Sequence, residues 1–284
     1  MRINHNIASM IGQGALETQQ SSLASSLEKL STGLRINRAS DDAAGLSVSE
    51  SMRSRIRGMG RAKSNAEDGI ALVQIAEGSA GEISNILQRM RELSIQSSTD
   101  TMTTTERSYT NTEFGQLMNE ITRISNSASY NGMTLLDGAA GSFGVSGGAS
   151  SVLHIGAGSS AVTDRMSITV DSMTLGALGM NTATTTVSTS AGALASLSLI
   201  DTAITSVNTM RSDMGAYVNR LDFAISNLGN QIYNTQDAES RIRDVDFASE
   251  TTEFTRAQIL SQSATSMLAQ ANQVPQGVLS LLGH

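Results

Sequence analysis

Small and apolar residues recur at alternating steps of three and four through the last part of this 284-residue chain. They stand at Ala257, Leu260, Ala264, Met267, Ala271, Val274, Val278 and Leu281. This spacing is typical of a heptad seam, which keeps one helix face turned toward a partner helix. Because several positions are Ala, the partner backbone is expected to approach closely. The pattern predicts a long C-terminal helix in a coiled coil.

The N-terminal part of the chain carries a matching stripe of leucines. It consists of Leu16, Leu23, Leu27, Leu30 and Leu34, with Gln20 filling the gap between the first two. Each terminal stripe is too narrow to stabilise a helix alone, so the two ends are expected to pair with each other or with other chains. We predict that the two stripes form a polymerisation seam.

Helical periodicity also marks three segments between the two ends. Apolar residues keep helical spacing over residues 46–97, 114–128 and 197–232. The Thr-rich stretch 100–106 is predicted to be a turn. The Asn-Gly pair at 131–132 is predicted to end the helix of residues 114–128. These segments predict a helical bundle between the terminal helices.

The pattern changes from helical to alternating in the middle of the chain. Met166, Ile168 and Val170 alternate with Ser and Thr, as on a half-buried strand, and residues 152–155 form a second candidate strand. A Thr- and Ser-rich linker is predicted at residues 182–190. The sequence therefore predicts a small antiparallel β region at about residues 140–180.

The predicted fold class is mainly α. We expect a long, discontinuous coiled-coil and helical-bundle rod built from both chain termini, with a small antiparallel β-hairpin region in the middle. Residues 1–44 and 245–284 are predicted to form an inner terminal coiled-coil domain. Residues 45–244 are predicted to form the helical bundle domain, including the β region.

Composition narrows the class of partners. The net charge of −7 argues against nucleic acid, and the absence of Cys excludes disulfides and thiolate metal sites. No apolar run is judged long enough to span a bilayer, so no membrane insertion is expected. The N-terminus lacks the apolar region of a secretory signal, so export would use another route.

Catalytic chemistry finds little support in the sequence. The three histidines, His5, His154 and His284, are far apart, with no nucleophile motif and no phosphate-binding loop near them. The adjacent Asp41 and Asp42 lack the further ligands of a metal site and fit a helix cap instead. No enzyme activity, catalytic residue, cofactor or metal is predicted.

Three long motifs resemble the signature segments of bacterial flagellin. They are LSTGLRINRASDDAAG at residues 30–45, QRMRELSIQS at 88–97 and RAQILSQSATSMLAQANQVPQGVLSLL at 256–282. The resemblance covers roughly residues 1–140 and 195–284. Gly12 and Gly14 depart from the family pattern, which usually has longer side chains there, and residues 46–56 are more polar than usual. The short middle of the chain implies a form without large outer domains.

The resemblance implies a structural subunit that polymerises into the extracellular flagellar filament for motility. Both termini would form the inner coiled coil around the central export channel. The subunit would leave the cell unfolded through the flagellar export apparatus, without a cleaved signal peptide. Implied partners are other copies of the chain, hook-junction and cap proteins, and an export chaperone at the C-terminal helix.

The family resemblance also implies a vertebrate innate immune receptor as a partner. In flagellins that this receptor recognises, a Gln-Arg pair, a Leu shortly after it and a Glu on the next helix carry the contact. The matching residues here are Gln88, Arg89, Leu93 and Glu113. The pattern alone favours a solvated helix face or a face buried between subunits over a receptor epitope, and the resemblance is what points to the receptor.

Two other classes of protein remain alternatives at this point. Hook–filament junction and cap proteins have helical termini of the same kind. A signalling coiled coil, such as a chemoreceptor hairpin, also has long heptads and few aromatic residues, which make up 3% of this chain. The alternating segment in the middle disfavours the chemoreceptor, since its hairpin turn would lie there.

Overall fold

The computed structural model of the chain describes residues 6–138, 151–182 and 184–282, with side chains described as far as residue 273. The helices of these segments are α1 Ile7–Thr32, α2 Ala43–Ser98, α3 Thr104–Ser127, α4 Ser190–Arg243 and α5 Phe247–Leu282. Two antiparallel hairpins are present, β1 Ser129–Tyr130 with β2 Met133–Thr134 and β3 Ser151–His154 with β4 Arg165–Ile168. The predicted mainly α fold with a small antiparallel β region is confirmed. Residues 139–150 of that region lie outside the described segments.

The chain divides into two compact units. The first comprises residues 1–55 and 233–284, and the second comprises residues 56–232. The division falls inside α2 and α4, which continue from one unit into the other. The predicted domain boundary at 244/245 lies between α4 and α5, whereas the one at 44/45 lies in the first turn of α2, and both stay a prediction.

The second unit has an apolar core to which α2, α3 and α4 all contribute. Its fully buried side chains include Val73, Ala80, Ile83, Leu87 and Met90 of α2, Phe114 and Ile121 of α3, and Ile200, Val207 and Leu221 of α4. They recur at the helical spacing expected for one buried stripe on each helix. Arg211 interrupts the stripe of α4, and its guanidinium lies 3.9 Å from the Glu77 carboxylate.

α3 begins earlier and ends earlier than predicted. Thr103 caps it, since its hydroxyl accepts a hydrogen bond from the Glu106 amide at 3.3 Å while the Glu106 carboxylate accepts one from the Thr103 amide at 2.8 Å. This capping box places Thr104 to Glu106 in the first helical turn, where a turn was predicted. At the other end, the helix stops at Ser127. Asn131 and Gly132, at φ 49° and 78°, form the turn between β1 and β2.

The β3–β4 hairpin packs against the helices of the second unit. Leu153 pairs with Met166, and Ile168 is fully buried. The Asn65 side chain donates a hydrogen bond to the His154 carbonyl at 3.0 Å. At Gly69 of α2, an added Cβ would lie 2.5 Å from a methyl carbon of Leu153, so the helix and the hairpin approach too closely for a larger residue.

The predicted linker at residues 182–190 is an irregular connection up to the start of α4 at Ser190, and it contributes two buried side chains, Thr185 and Val187, to the second unit. Val187 is fully buried, and its amide donates to the Asn111 side chain at 3.0 Å. The Ser196 hydroxyl donates to the Thr186 carbonyl at 3.1 Å. The segment is thus a linker, as predicted, whose turns are partly packed against its neighbours. Ala183 lies outside the described residues.

One helix passes a length and composition test for membrane spans, contrary to the sequence prediction. α4 contains an 18-residue window with a mean hydropathy of 1.3. Core helices of soluble proteins pass the same test. In α4, Ile200, Val207 and Leu221 are buried in the core of the second unit, and 28% of the apolar window is buried.

Candidate assembly surface of the terminal helices

α1 packs against α5, and we call these two helices the terminal pair. Of the alternatives left open by the sequence, pairing of the two ends with each other is therefore present within one chain. The pair is antiparallel, as three contacts show. Asn6 donates to the Ala271 carbonyl at 2.9 Å, a Cβ added at Gly12 would lie 3.5 Å from a methyl carbon of Leu268, and the Lys29 amine is 3.9 Å from the Glu250 carboxylate.

The residues of α1 that are covered within the pair follow a heptad rhythm. These half-buried or buried residues include Ser9, Gly12, Leu16, Gln19, Leu23, Ser26 and Leu30. Several are small or polar, so the stripe is thinner than the leucines suggested. Gln20 and Leu27 of the predicted seam are exposed instead, Leu27 by 56%. Leu34 lies beyond the end of α1 and is half-buried.

The covered stripe of α5 shares only part of the predicted seam. It consists of Glu250, Phe254, Ala257, Ser261, Ala264, Leu268 and Ala271. Ala257, Ala264 and Ala271 were predicted, whereas Leu260 and Met267 are 43% and 68% exposed. The structure thus places these two on the outside of the pair. Val274, Val278 and Leu281 belong to α5, but their side chains lie outside the described ones.

A set of large apolar side chains on the terminal pair is open to solvent. This exposed apolar set comprises Ile7, Met10, Ile11 and Leu27 of α1 and Phe247, Ile259, Leu260 and Met267 of α5, each at least 43% exposed. Because the set lies on both helices, covering the stripe between them leaves these side chains in water. Apolar side chains that accumulate in this way on a surface are typical of an interaction site.

A short bridge holds the ends of α1 and α4 together. Gly33 ends α1 in the left-handed conformation at φ 72°, and its carbonyl accepts from the Val245 amide at 3.0 Å. The Arg35 amide donates to the Arg243 carbonyl at 2.7 Å. We call residues 33–35 and 243–245 the joint. Both breaks in the helices, near residues 33 and 245, thus lie side by side.

An ion pair supports the joint. The Arg243 side chain is 11% exposed and donates to the Glu50 carboxylate of α2 at 2.5 Å. This hydrogen bond, together with a second one from Arg53, lowers the pKa of Glu50 from its ordinary value. At the nearby turn, backbone amides of Arg38 and Asn37 lower the pKa of Asp41 in the same way. Asp41 therefore serves the turn rather than a metal site.

The four residues of the predicted receptor epitope come together on α2 and α3. The Arg89 guanidinium donates to the Glu113 carboxylate at 3.0 Å and to Glu92 at 3.0 Å, which raises the pKa of Arg89. Gln88 is exposed beside them. Leu93, however, is 1% exposed and lies in the core. The prediction of Leu93 as an apolar anchor fails in this structure, because the helix turns it toward the core.

Two long helices that pair through a thin stripe and leave apolar side chains uncovered are typical of a subunit that associates with other chains. The family models "Bacterial flagellin N-terminal helical region" and "Bacterial flagellin C-terminal helical region" match residues 3–140 and 197–282. The chain belongs to the bacterial flagellin family. It is a structural subunit of the flagellar filament, which lies outside the cell.

Individual relatives align with nearly the whole of this chain. A flagellin of Treponema pallidum (strain Nichols) is 43% identical, and one of Halalkalibacterium halodurans is 44% identical; both alignments cover 99% of this chain and 100% of the relative. Among solved structures, Bacillus cereus flagellin has a TM-score of 0.50 and 29% identity, over 58% of this chain and 88% of that one. The short form without large outer domains is consistent with relatives that align over their full length.

Proposed function

We propose that copies of this subunit polymerise through the exposed apolar set of the terminal pair. The observation that carries the proposal is the exposure of Leu260 and Met267, two large side chains at heptad spacing that no part of the described chain covers. Complete burial of a fully exposed side chain of this size contributes roughly 1.5–3 kcal/mol, and the half-exposed Leu260 and Met267 would gain a corresponding part of it. Neighbouring copies of the same pair would supply the cover, and the polymerisation seam would be the outer face of the pair rather than the stripe within it.

An acidic substitution on the exposed apolar set tests this proposal. Leu260→Glu should prevent polymerisation onto filament seeds, because a carboxylate would have to be buried in the contact. The circular dichroism of the monomer should not change, since Leu260 is 43% exposed already. Val162→Glu is the matched control, as Val162 is 89% exposed in the second unit. Filaments from Leu260→Glu of normal length and stability would contradict the proposed surface.

The remaining partners follow from the same role. Hook-junction and cap proteins would contact the two ends of the polymer. An export chaperone would cover the C-terminal helix before assembly, which keeps its apolar side chains out of water. The subunit would be exported unfolded, without a cleaved signal peptide, and it would be a structural protein and not an enzyme.

We also propose that the free monomer is recognised by the vertebrate innate receptor through Gln88, Arg89 and Glu113. The contacts that support this are the exposed Arg89–Glu113 pair and the exposed Gln88 beside it. The guanidinium retains the capacity for further charge-assisted hydrogen bonds. Leu93 contributes indirectly, since its burial fixes the face on which Arg89 stands.

Loss of the guanidinium should weaken this recognition strongly. Arg89→Ala is expected to reduce activation of receptor-bearing cells at least tenfold, which corresponds to about 1.4 kcal/mol. Arg123→Ala is the control, because Arg123 is also exposed and paired, with Glu120 at 2.6 Å. Equal activation by the wild type and Arg89→Ala would rule out this epitope, and so would an equal loss from Arg123→Ala.

A further inference from the structure

The chain has 14 methionines and no cysteine, so thioethers are its only sulfur groups. Most of the methionines that the structure describes lie in cores, and Met59, Met90, Met173 and Met214 are at most 1% exposed. Two differ sharply from them. Met10 is 65% exposed and Met267 is 68% exposed, which makes them the most exposed of the described methionines.

These two methionines lie at the same end of the terminal pair. The Asn6–Ala271 hydrogen bond and the approach of Gly12 to Leu268 bring their two segments side by side. Both belong to the exposed apolar set. The side chains that a solution oxidant reaches first are therefore part of the surface through which copies of the subunit are proposed to meet.

We propose that Met10 and Met267 form an oxidation site that controls whether the free subunit can assemble. The oxidant is a peroxide such as hydrogen peroxide. One peroxide oxygen bonds to the sulfur as the O–O bond breaks, the thioether is oxidised by two electrons, and the other oxygen leaves as water. The product, methionine sulfoxide, is polar and can be reduced back enzymatically.

The physical consequence follows from where the oxygen is added. A thioether fits an apolar contact because it is soft and flexible, whereas a sulfoxide brings a strong acceptor that must be desolvated. Inside the filament both sulfurs would be covered and slow to react. Oxidation would thus act on free subunits and leave assembled ones largely unaffected. This inference rests on the proposed assembly surface.

Mild peroxide treatment of the full-length monomer tests the inference, with peptide mass spectrometry to locate the oxygen. Met10 and Met267 should be oxidised before the core methionines. The critical concentration for seeded polymerisation should then rise about tenfold, which corresponds to about 1.4 kcal/mol. Circular dichroism should stay unchanged, and treatment with methionine sulfoxide reductases of both stereospecificities should restore assembly.

Conservative variants separate this site from general damage. The double variant Met10→Leu, Met267→Leu keeps side-chain volume, and its critical concentration should be the same before and after the treatment, whatever its untreated value is. Met133→Leu, at a methionine that is 38% exposed in the β1–β2 hairpin, should give no protection. Sensitivity of the double variant equal to that of the wild type would overturn the inference, as would equally fast oxidation of core methionines.

The two proposals can fail separately. If untreated subunits assemble and peroxide-treated ones with both methionines oxidised assemble equally well, the oxidation site is wrong and the assembly surface is untouched. If Leu260→Glu assembles normally, the assembly surface is wrong, and the oxidation site loses its basis with it.

Discussion

The two compact units bury apolar side chains to very different degrees. In the first unit, Ile36 and Ala257 are the buried hydrophobic residues among those described, and the terminal pair is covered mainly at Ser, Ala and half-buried Leu positions. The second unit buries large side chains from three helices and a hairpin in one core. The hydrophobic effect scales with the area removed from water, so burial stabilises the second unit more than the first.

The two units differ in the way that a polymerising subunit requires. A subunit that must travel as a free chain and then polymerise needs one part that is stable alone and another that gains its stability from neighbours. We propose that the exposed apolar set of the terminal pair meets the second need. The contrast also explains why the covered stripe of the terminal pair is so thin. A pair that buried all of its apolar side chains within one chain would gain little stability from assembly.

The largest expected effect is on the core of the second unit. Phe114→Ala removes a fully buried aromatic ring and should lower the free energy of unfolding by about 3–5 kcal/mol. Phe223→Ala is the matched control, because Phe223 is 75% exposed on α4 and should change the same quantity by less than about 0.5 kcal/mol. Denaturant unfolding of the monomer measures both. Equal losses would mean that the two rings do not differ in burial.

A smaller effect is expected inside the terminal pair. Ala264 lies on the covered stripe of α5, so Ala264→Leu should overpack the contact with α1 at a cost of about 1–3 kcal/mol. Hydrogen exchange of the α5 amides should become faster while exchange in α2 and α3 stays the same. Gln262→Leu, at an exposed position of the same helix, should leave all of these rates unchanged. Faster exchange in both variants would show that the stripe was assigned wrongly.

The sequence predicted the helices well because their periodicity is long and regular. The periodicity determined only in part which face of each terminal helix is covered within the chain. Ala257, Ala264 and Ala271 fit two heptad phases, one through Leu260 and Met267 and one through Ser261 and Leu268. Larger side chains favoured the first phase, whereas the structure has the second. An isolated sequence cannot separate a face covered within the chain from a face covered by assembly, because both are apolar.

The other differences have local physical causes. The capping box of Thr103 and Glu106 was a readable signal that the Thr-rich composition obscured. In the 182–190 segment, the buried Val187 is a single apolar residue among Ser and Thr, and one residue shows no periodicity. The burial of Leu93 beneath Arg89 followed from helical spacing with Met90 and Leu87, but the resemblance to a receptor epitope directed attention to its surface neighbours instead.

The smallest expected effect is a response of the joint to acid. Arg243 lowers the pKa of Glu50, so this pair stabilises the folded state above the ordinary carboxyl value of 4.5 and the contribution is lost as pH falls through the lowered pKa. Protonation leaves the buried Arg243 guanidinium without its carboxylate partner. The protection factors of the Arg35 and Val245 amides, which bridge the joint, should therefore fall as the solution is acidified below about pH 4.5, the ordinary value of Glu50, when each exchange rate is divided into the intrinsic rate at the same pH.

One carboxylate-to-amide variant in each unit tests whether this acid response is specific to the joint. Glu50→Gln should exchange faster at the joint already at neutral pH and should flatten the acid response there. Glu120→Gln removes a carboxylate whose pKa is lowered in the same way, by Arg123, but on α3 of the second unit. Exchange at the joint should be as in the wild type, because the Arg123–Glu120 pair is exposed and is distant in sequence from both segments of the joint. If the protection of the joint amides changes neither with pH nor in Glu50→Gln, the Arg243–Glu50 contact does not hold the two helix breaks together.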